Sequence, residues 1–109
     1  MKRDRIDINK TLIPYNFNIL LAGEWFNIRV DYNSTADLFT LTLNKDEVEI
    51  CHEPIIYGVP LFKDVFESGK YPAIEIMPWD ESGKETKVTY ENLNDTVFLV
   101  VNNGGDDIG

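Results

Sequence analysis

Cys51 and His52 are the residues whose side chains could most readily do nucleophilic chemistry. The chain has one cysteine and one histidine, and a thiol held beside an imidazole can form a reactive pair. Here the two residues are neighbours on a predicted strand, where successive side chains point to opposite faces. We therefore expect a small buried thiol and a surface imidazole, rather than a nucleophile and its base.

His52 is also the one histidine available to a metal site. The carboxylates nearest to it in the sequence are those of Glu47, Glu49 and Glu53. On a regular strand these three project to the face opposite His52, so we expect them to be charges on a solvent-exposed face. Residues 80–83 lack the alternating oxygen ligands and the distal glutamate of a calcium loop, which favours a plain turn. The sequence predicts neither a metal site nor a cofactor.

The sequence evidence for other kinds of catalytic site is equally weak. Nineteen acidic residues leave room for paired carboxylates, but no pair has an apolar setting that would raise one pKa. Gly104 and Gly105 are followed by neither a helix nor a lysine, unlike a phosphate-binding loop. We therefore predict no catalytic residues and a protein that is not an enzyme, and we expect it to act by binding other proteins.

Charge and length limit the class of protein and of partner. The 109 residues include 19 acidic and 10 basic ones, a formal net charge of -9. An acidic excess repels phosphate backbones and anionic membrane surfaces, so we expect no nucleic-acid partner and no membrane partner. The length suits one domain, and an apolar fraction of 43% can supply its core.

Four stretches in the first half alternate apolar and polar residues, which is typical of half-buried strands. Short turns separate them, and the first turn contains Gly23, a residue able to take a positive φ. Strands joined by short turns are expected to pair antiparallel, as a meander. The predicted strands cover residues 13–19, 26–32, 39–43 and 48–50, with Val48 and Ile50 facing inward.

The second half is less regular. Residues 54–62 are apolar without a period, and their prolines and glycine argue against a central strand. Residues 96–101 form the last predicted strand, and residues 97–101 are apolar on both faces, which predicts a place at the centre of a sheet. The other predicted elements are a helical turn at 63–69, a strand at 73–77 ended by Pro78, a short strand at 86–88 and a helical turn or tight loop at 89–93.

Six or seven short strands with at most one or two helical turns predict an all-β fold. Either a small antiparallel β-barrel or a sandwich would leave fewer exposed edges than one open sheet. We expect residues 1–10 to be a flexible or edge segment, residues 11–102 to form a single β domain, and residues 103–109 to be a flexible acidic tail.

Seven apolar residues are candidates for an interface. Trp25 is out of phase with the predicted core row of its strand, and Trp79 follows a strand-ending proline. Either tryptophan could line a second core face or anchor an interface. The aperiodic segment could likewise be a loop buried over the fold or a docking surface. The candidate interface residues are Trp25, Ile55, Ile56, Tyr57, Leu61, Phe62 and Trp79.

Several short motifs follow one another in order between residues 13 and 101. They are Ile13-Pro14-Tyr15, Leu20-Leu21-Ala22-Gly23-Glu24, Trp25-Phe26-Asn27-Ile28-Arg29-Val30, Tyr32-Asn33, Phe39-Thr40-Leu41, Gly58-Val59-Pro60-Leu61, Tyr71-Pro72 and Val97-Phe98-Leu99-Val100. This order resembles that of the small baseplate plug-type structural proteins of tailed bacteriophages and prophages.

The resemblance implies a non-enzymatic structural component of a phage or prophage tail baseplate. Such a protein would be made in the bacterial host cytoplasm and located in the virion tail. Its partners would be other tail proteins, of the hub, tube or wedge, and a homo-oligomer within the assembly is compatible with this role. The residues leave one alternative open, which is a free-standing β module that binds a small ligand or glycan through its exposed aromatic side chains.

Overall fold

The computed structural model describes residues 4–69 and 74–102. Within them lie seven strands, a four-residue helix and a short 3-10 turn, so the all-β prediction is confirmed. The predicted tail at 103–109, the Tyr71-Pro72 motif and Ala73 lie outside the described residues. The elements are β1 (Asp4–Ile6), the 3-10 turn (Lys10–Leu12), β2 (Tyr15–Leu21), β3 (Glu24–Asn33), β4 (Leu38–Lys45), β5 (Val48–Pro54), α1 (Lys63–Phe66), β6 (Glu75–Trp79) and β7 (Phe98–Asn102).

The predicted meander forms one sheet, with the strand order β2-β3-β4-β5 and antiparallel pairing throughout. Two-residue turns join its outer pairs. Ala22 and Gly23 have φ angles of 50° and 85°, and Asp46 and Glu47 have angles of 52° and 67°. Positive φ at both central residues gives a hairpin turn the twist of the strands that it joins. The prediction for Gly23 is confirmed.

A second sheet has the order β1-β7-β6, again antiparallel. The central position predicted for the last strand is confirmed, since β7 pairs with β1 on one side and β6 on the other. The pairing partners of β7 are the chain's first strand and a strand from its second half, so this sheet depends on contacts that are distant in sequence.

The core lies between the two sheets. Ile28 and Leu41 of the four-stranded sheet and Ile76 and Leu99 of the three-stranded sheet are each 0% exposed, and they belong to one hydrophobic cluster. Two separate sheets that share one core make a sandwich-like fold, which settles the choice between sandwich and closed barrel in the described part of the chain.

A β-bulge changes which side chains of β5 face the core. The register between β4 and β5 shifts at Leu43 and Asn44, and Ile50 is the extra residue. Val48 is 63% exposed, and Glu49 pairs with Asn44 on the outer face. The expectation that Val48 packs in the core is wrong, because Val48 pairs with Lys45 beside the turn at the end of the sheet. The expectation that Glu49 shares the face of Cys51 is also wrong, because the extra residue between them reverses the alternation.

Two other predicted boundaries differ from the structure. β6 continues through Pro78 to Trp79, because it is an edge strand and an edge tolerates a residue without a backbone N–H. Residues 86–88 form no strand. Residues 89–93, predicted as a helical turn or a tight loop, form a turn closed by a hydrogen bond from Leu93 N to Thr89 O. Among the described residues, no helix is long and apolar enough to cross a membrane.

Candidate binding surfaces

The seven predicted interface residues divide into a buried group and a group that reaches the surface. Three are core residues with exposed fractions of 2% or less, namely Ile55, Leu61 and Phe62. Tyr57 is half-buried. The remaining three are exposed, with fractions of 44% for Ile56, 62% for Trp25 and 40% for Trp79. Contact of any of the seven with a partner stays a prediction.

Residues 55–62 are held against the four-stranded sheet at both ends. Ile55 N donates to Phe39 O over 2.9 Å, which continues the line of β5 for one residue. Phe62 N donates to Glu53 Oε1 over 2.8 Å. These bonds place Ile55 and Phe62 with their side chains in the core, although the segment has no sequence period.

The same segment also contacts the three-stranded sheet. Leu61 N donates to Ile76 O over 2.7 Å, and Gly58 N donates to Pro78 O over 3.1 Å. The segment thus bridges both sheets and covers the outer edge of β6. An edge strand covered in this way presents fewer free backbone groups to other chains.

The tip of the bridging segment carries a small apolar surface. Val59 N donates to Ile56 O over 3.0 Å, which closes a turn with Gly58 at a φ of 73°. Tyr57 stacks on Trp79 with ring centroids 5.3 Å apart. We call Ile56, Tyr57, Val59 and Trp79 the turn patch. Its two aliphatic members are 44% and 50% exposed.

Asp80 follows the turn patch directly and has a nearly buried carboxylate, at 3% exposure. One carboxylate oxygen accepts from Ser82 N and Ser82 Oγ, and the other accepts from Lys84 N and Glu85 N, at 2.7–3.0 Å. The hydroxyl hydrogen bond of Ser82, followed by the three backbone N–H groups, outweighs burial and lowers the pKa of Asp80. The predicted turn at 80–83 is therefore organised around this carboxylate.

The outer face of the four-stranded sheet has a row of asparagines that the sequence analysis did not single out. Asn27 lies at its centre, where Oδ1 accepts from Asn16 and Asn44 over 3.3 Å and Nδ2 donates to Asn18 over 3.1 Å. Trp25 lies beside them. We call these five residues the Trp25 groove. They line an open depression of about 660 Å³.

The sequence did contain a signal for this groove. Asn16 and Asn18 occupy successive outward positions of β2, and Asn27 occupies the outward position opposite Asn18. Once the strands are paired, period two alone brings these amides together. Asn44 joins them through the β3–β4 register, which local patterns do not show.

Cys51 and His52 point to opposite faces of β5, as predicted. His52 Nδ1 lies 2.7 Å from Thr42 Oγ1 on the outer face. Cys51 Sγ donates to Glu53 Oε2 over 3.2 Å, and burial together with this carboxylate raises the thiol pKa to about 11. A thiol with so high a pKa is a weak nucleophile at neutral pH. Glu53 was expected to face solvent, but it is half-buried because it lies opposite Leu41, a core residue.

Tyr32 and Asp37 form a further hydrogen-bonded pair at the opposite end of β3. Tyr32 Oη and Tyr90 N both donate to Asp37 Oδ1, over 2.7 Å and 2.9 Å. The bond to the carboxylate raises the pKa of Tyr32 to about 12, and both bonds lower the pKa of Asp37. This pair fixes the loop after β3 to the turn at Tyr90.

In the described part of the chain, no group of three or more His, Cys, Asp and Glu side chains is placed to hold a metal ion.

A family model described as cyanophage baseplate Pam3 plug gp18 matches residues 3–104. The chain belongs to this family. No curated protein and no solved structure gives a significant match.

Membership in the plug gp18 family confirms the resemblance to baseplate plug-type proteins that the motifs at residues 13–101 indicated. The match also covers the first strand, which those motifs did not include. The turn patch and the Trp25 groove both lie inside the matched range. Either surface is thus part of the domain that defines the plug family.

Proposed function

We propose that the chain is a non-enzymatic structural component of a phage or prophage tail baseplate and acts through contacts with other tail proteins. The observation that carries the proposal is the family match over residues 3–104. The partners that we propose are proteins of the baseplate hub, the tail tube or the wedge. The protein would be synthesised in the host cytoplasm and would end in the virion tail.

The turn patch is the surface best suited to such contacts. Tryptophan and tyrosine are enriched at the centres of protein interfaces because they bury a large area with few rotatable bonds. Here Trp79 and Tyr57 are already stacked, and Ile56 and Val59 extend the apolar area beside them. Docking on this patch would cost little side-chain ordering, since the bridging segment is hydrogen-bonded to both sheets.

Affinity purification from phage-producing cells tests the proposal. A tagged copy of the chain is expressed in a host during lytic growth or prophage induction, and co-purifying proteins are identified by mass spectrometry. We expect hub, tube or wedge proteins to be recovered with the wild-type chain, and we expect the chain itself in purified virions. A virion without the chain, together with a purification that recovers no tail protein, would overturn the proposal.

A pair of matched variants tests separately whether the turn patch is the surface that contacts the tail proteins. Trp79→Ala combined with Ile56→Ala should lower recovery of the tail proteins at least tenfold, because both changes remove exposed apolar area. Trp25→Ala is the control, since Trp25 is more exposed and lies on the outer face of the other sheet. Equal recovery with both variants would assign the contacts to another surface.

A further inference from the structure

We infer that the Trp25 groove binds an uncharged saccharide. The inference goes beyond the baseplate role, and it rests on three features that lie together on one outer sheet face. These are an exposed aromatic ring, a set of pre-oriented amides and a rim that carries two carboxylates.

Trp25 supplies a flat apolar platform. Its side chain is 62% exposed, and Leu20, its cross-strand partner, is 52% exposed. The face of an indole ring is negative, so it attracts the weakly positive C–H groups on one face of a sugar ring. The backbone that carries this ring is anchored, because Lys45 Nζ donates to the Trp25 carbonyl over 3.0 Å and pairs with Glu24 over 3.3 Å.

The asparagines supply hydrogen-bonding edges at fixed positions. Asn27 uses both acceptor sites of Oδ1 for Asn16 and Asn44, which holds the two neighbouring amides in place. These bonds use Nδ2 of Asn16, Nδ2 of Asn44 and Oδ1 of Asn18, so within the described residues the other polar side-chain atom of each is open to a ligand. Each amide has two donors and two acceptors, so the row can both donate to and accept from the hydroxyl groups of a sugar.

The charge of the rim selects an uncharged ligand. Asp46 and Glu47 border the groove. Arg29, which lies opposite Asn16 on the same face, is paired with the carboxylate of Asp31 over 3.0 Å. Two carboxylates beside the site disfavour phosphate, sulfate and sialic-acid groups. The depression of about 660 Å³ falls within the range of about 300–1,000 Å³ typical of small-ligand pockets.

The direct test is an NMR titration of the ¹⁵N-labelled full chain. The probes are the methyl glycosides of glucose, galactose, mannose and N-acetylglucosamine, and uncharged disaccharides of the same sugars. We expect at least one probe to shift the Trp25 indole signal and the side-chain amide signals of Asn16, Asn18 and Asn44. A dissociation constant of about 1 mM is expected for so open a site.

Three variants define the site. Trp25→Ala should weaken binding at least tenfold, and Asn16→Ala should weaken it several-fold, since both side chains are exposed and their loss leaves the core intact. Trp79→Ala should bind as the wild type does, because its ring lies on the other sheet. Amide signals of all variants report whether the fold is retained.

The outcomes separate this inference from the baseplate role. If no probe shifts the Trp25 indole at concentrations up to about 10 mM, the inference is wrong, whatever the affinity purification shows. If Trp25→Ala removes tail-protein recovery and no sugar binds, the groove is a protein interface and the saccharide is excluded. Sugar binding that is lost on Trp79→Ala and kept in Trp25→Ala would overturn the inference as well.

Discussion

In the part of the chain that the structure describes, the carboxylate of Asp80 is stabilised by hydrogen-bond donors of its own loop. Its oxygens accept from Ser82, Lys84 and Glu85, and its backbone N–H donates to Tyr57 Oη over 3.1 Å. Ionised Asp80 is favoured in the folded state, so its pKa is lowered from 3.8. Its contribution to stability is therefore fully present above the unfolded pKa and is lost as the pH falls through the folded pKa.

Asp80→Asn should reduce stability near neutral pH, and the reduction should shrink in acid. The asparagine keeps one acceptor oxygen but places an NH₂ group against backbone N–H donors, which leaves some of them unsatisfied. Urea unfolding of wild type and variant at about pH 7 and about pH 3 measures the difference. Asp95→Asn, at an exposed aspartate, is the control. A stability gap that is unchanged between the two pH values would show that Asp80 ionisation is not coupled to folding.

For individual residues, the sequence predicts the direction of a side chain better than it predicts what surrounds that side chain. Period two placed Trp25 away from the core row of β3, and the structure agrees, with Phe26 at 2% and Trp25 at 62% exposure. Whether an outward tryptophan is covered depends on what packs on that face, which no local pattern contains. The burial of Asp80 could not be predicted from the sequence for the same reason, because its contact with Tyr57 joins two separate segments of the chain.

Turn geometry controls the elements of the four-stranded sheet. In the β2–β3 turn, alanine occupies a left-handed position at a φ of 50°, where a side chain with a β-carbon is strained. Gly23 follows at 85° and has no atom within 4 Å of the site where a β-carbon would be built. Glycine is therefore needed at this position for its backbone conformation, and not because a larger side chain would clash with its neighbours.

Two changes in this turn should have opposite effects. Ala22→Asn creates the Asn-Gly pair that type I′ turns prefer and should raise the free energy of unfolding by about 0.5–1 kcal/mol. Gly23→Ala should lower it by about 1 kcal/mol, since an L residue resists this φ. Chemical denaturation of both variants gives the two values. Changes of the same sign would contradict a turn with two left-handed residues.

Among the elements, the regular strands were predictable and the irregular ones were not. The sequence predicts β3 and β4 and their inward faces, because apolar and polar residues alternate there without a break. The inward residues are Phe26, Ile28 and Val30 in β3 and Phe39, Leu41 and Leu43 in β4. β5 alternates as well, but a bulge at Ile50 reverses its faces, and only the partner strand shows where the register shifts. Pro78 suggested the end of a strand, yet at an edge its missing N–H removes no sheet hydrogen bond.

The whole molecule is held together by contacts between segments far apart in the chain. The three-stranded sheet unites residues from both ends, and residues 55–62 connect the two sheets. Alternation within strands is the same in a barrel and a sandwich, so the sequence could not decide between them. The choice depends on which edges pair, and here β2 and β5 remain the edges of their own sheet.

Ile55 and Ile56 test this architecture with a matched pair of neighbouring residues. Both were predicted interface residues, but Ile55 is 1% exposed in the core that joins the sheets and Ile56 is 44% exposed in the turn patch. Ile55→Ala should lower the free energy of unfolding by about 2–4 kcal/mol, because it leaves a cavity. Ile56→Ala should change it by no more than about 0.5 kcal/mol.

Urea unfolding followed by tryptophan fluorescence measures both values on the full chain. Since a domain of this size is stable by about 5–15 kcal/mol, Ile55→Ala should remain folded at low temperature and show an earlier midpoint with an unchanged slope. Equal costs at the two positions would mean that the bridging segment is not fixed between the sheets. The turn patch would then lack the rigid support on which its proposed role in tail-protein contacts depends.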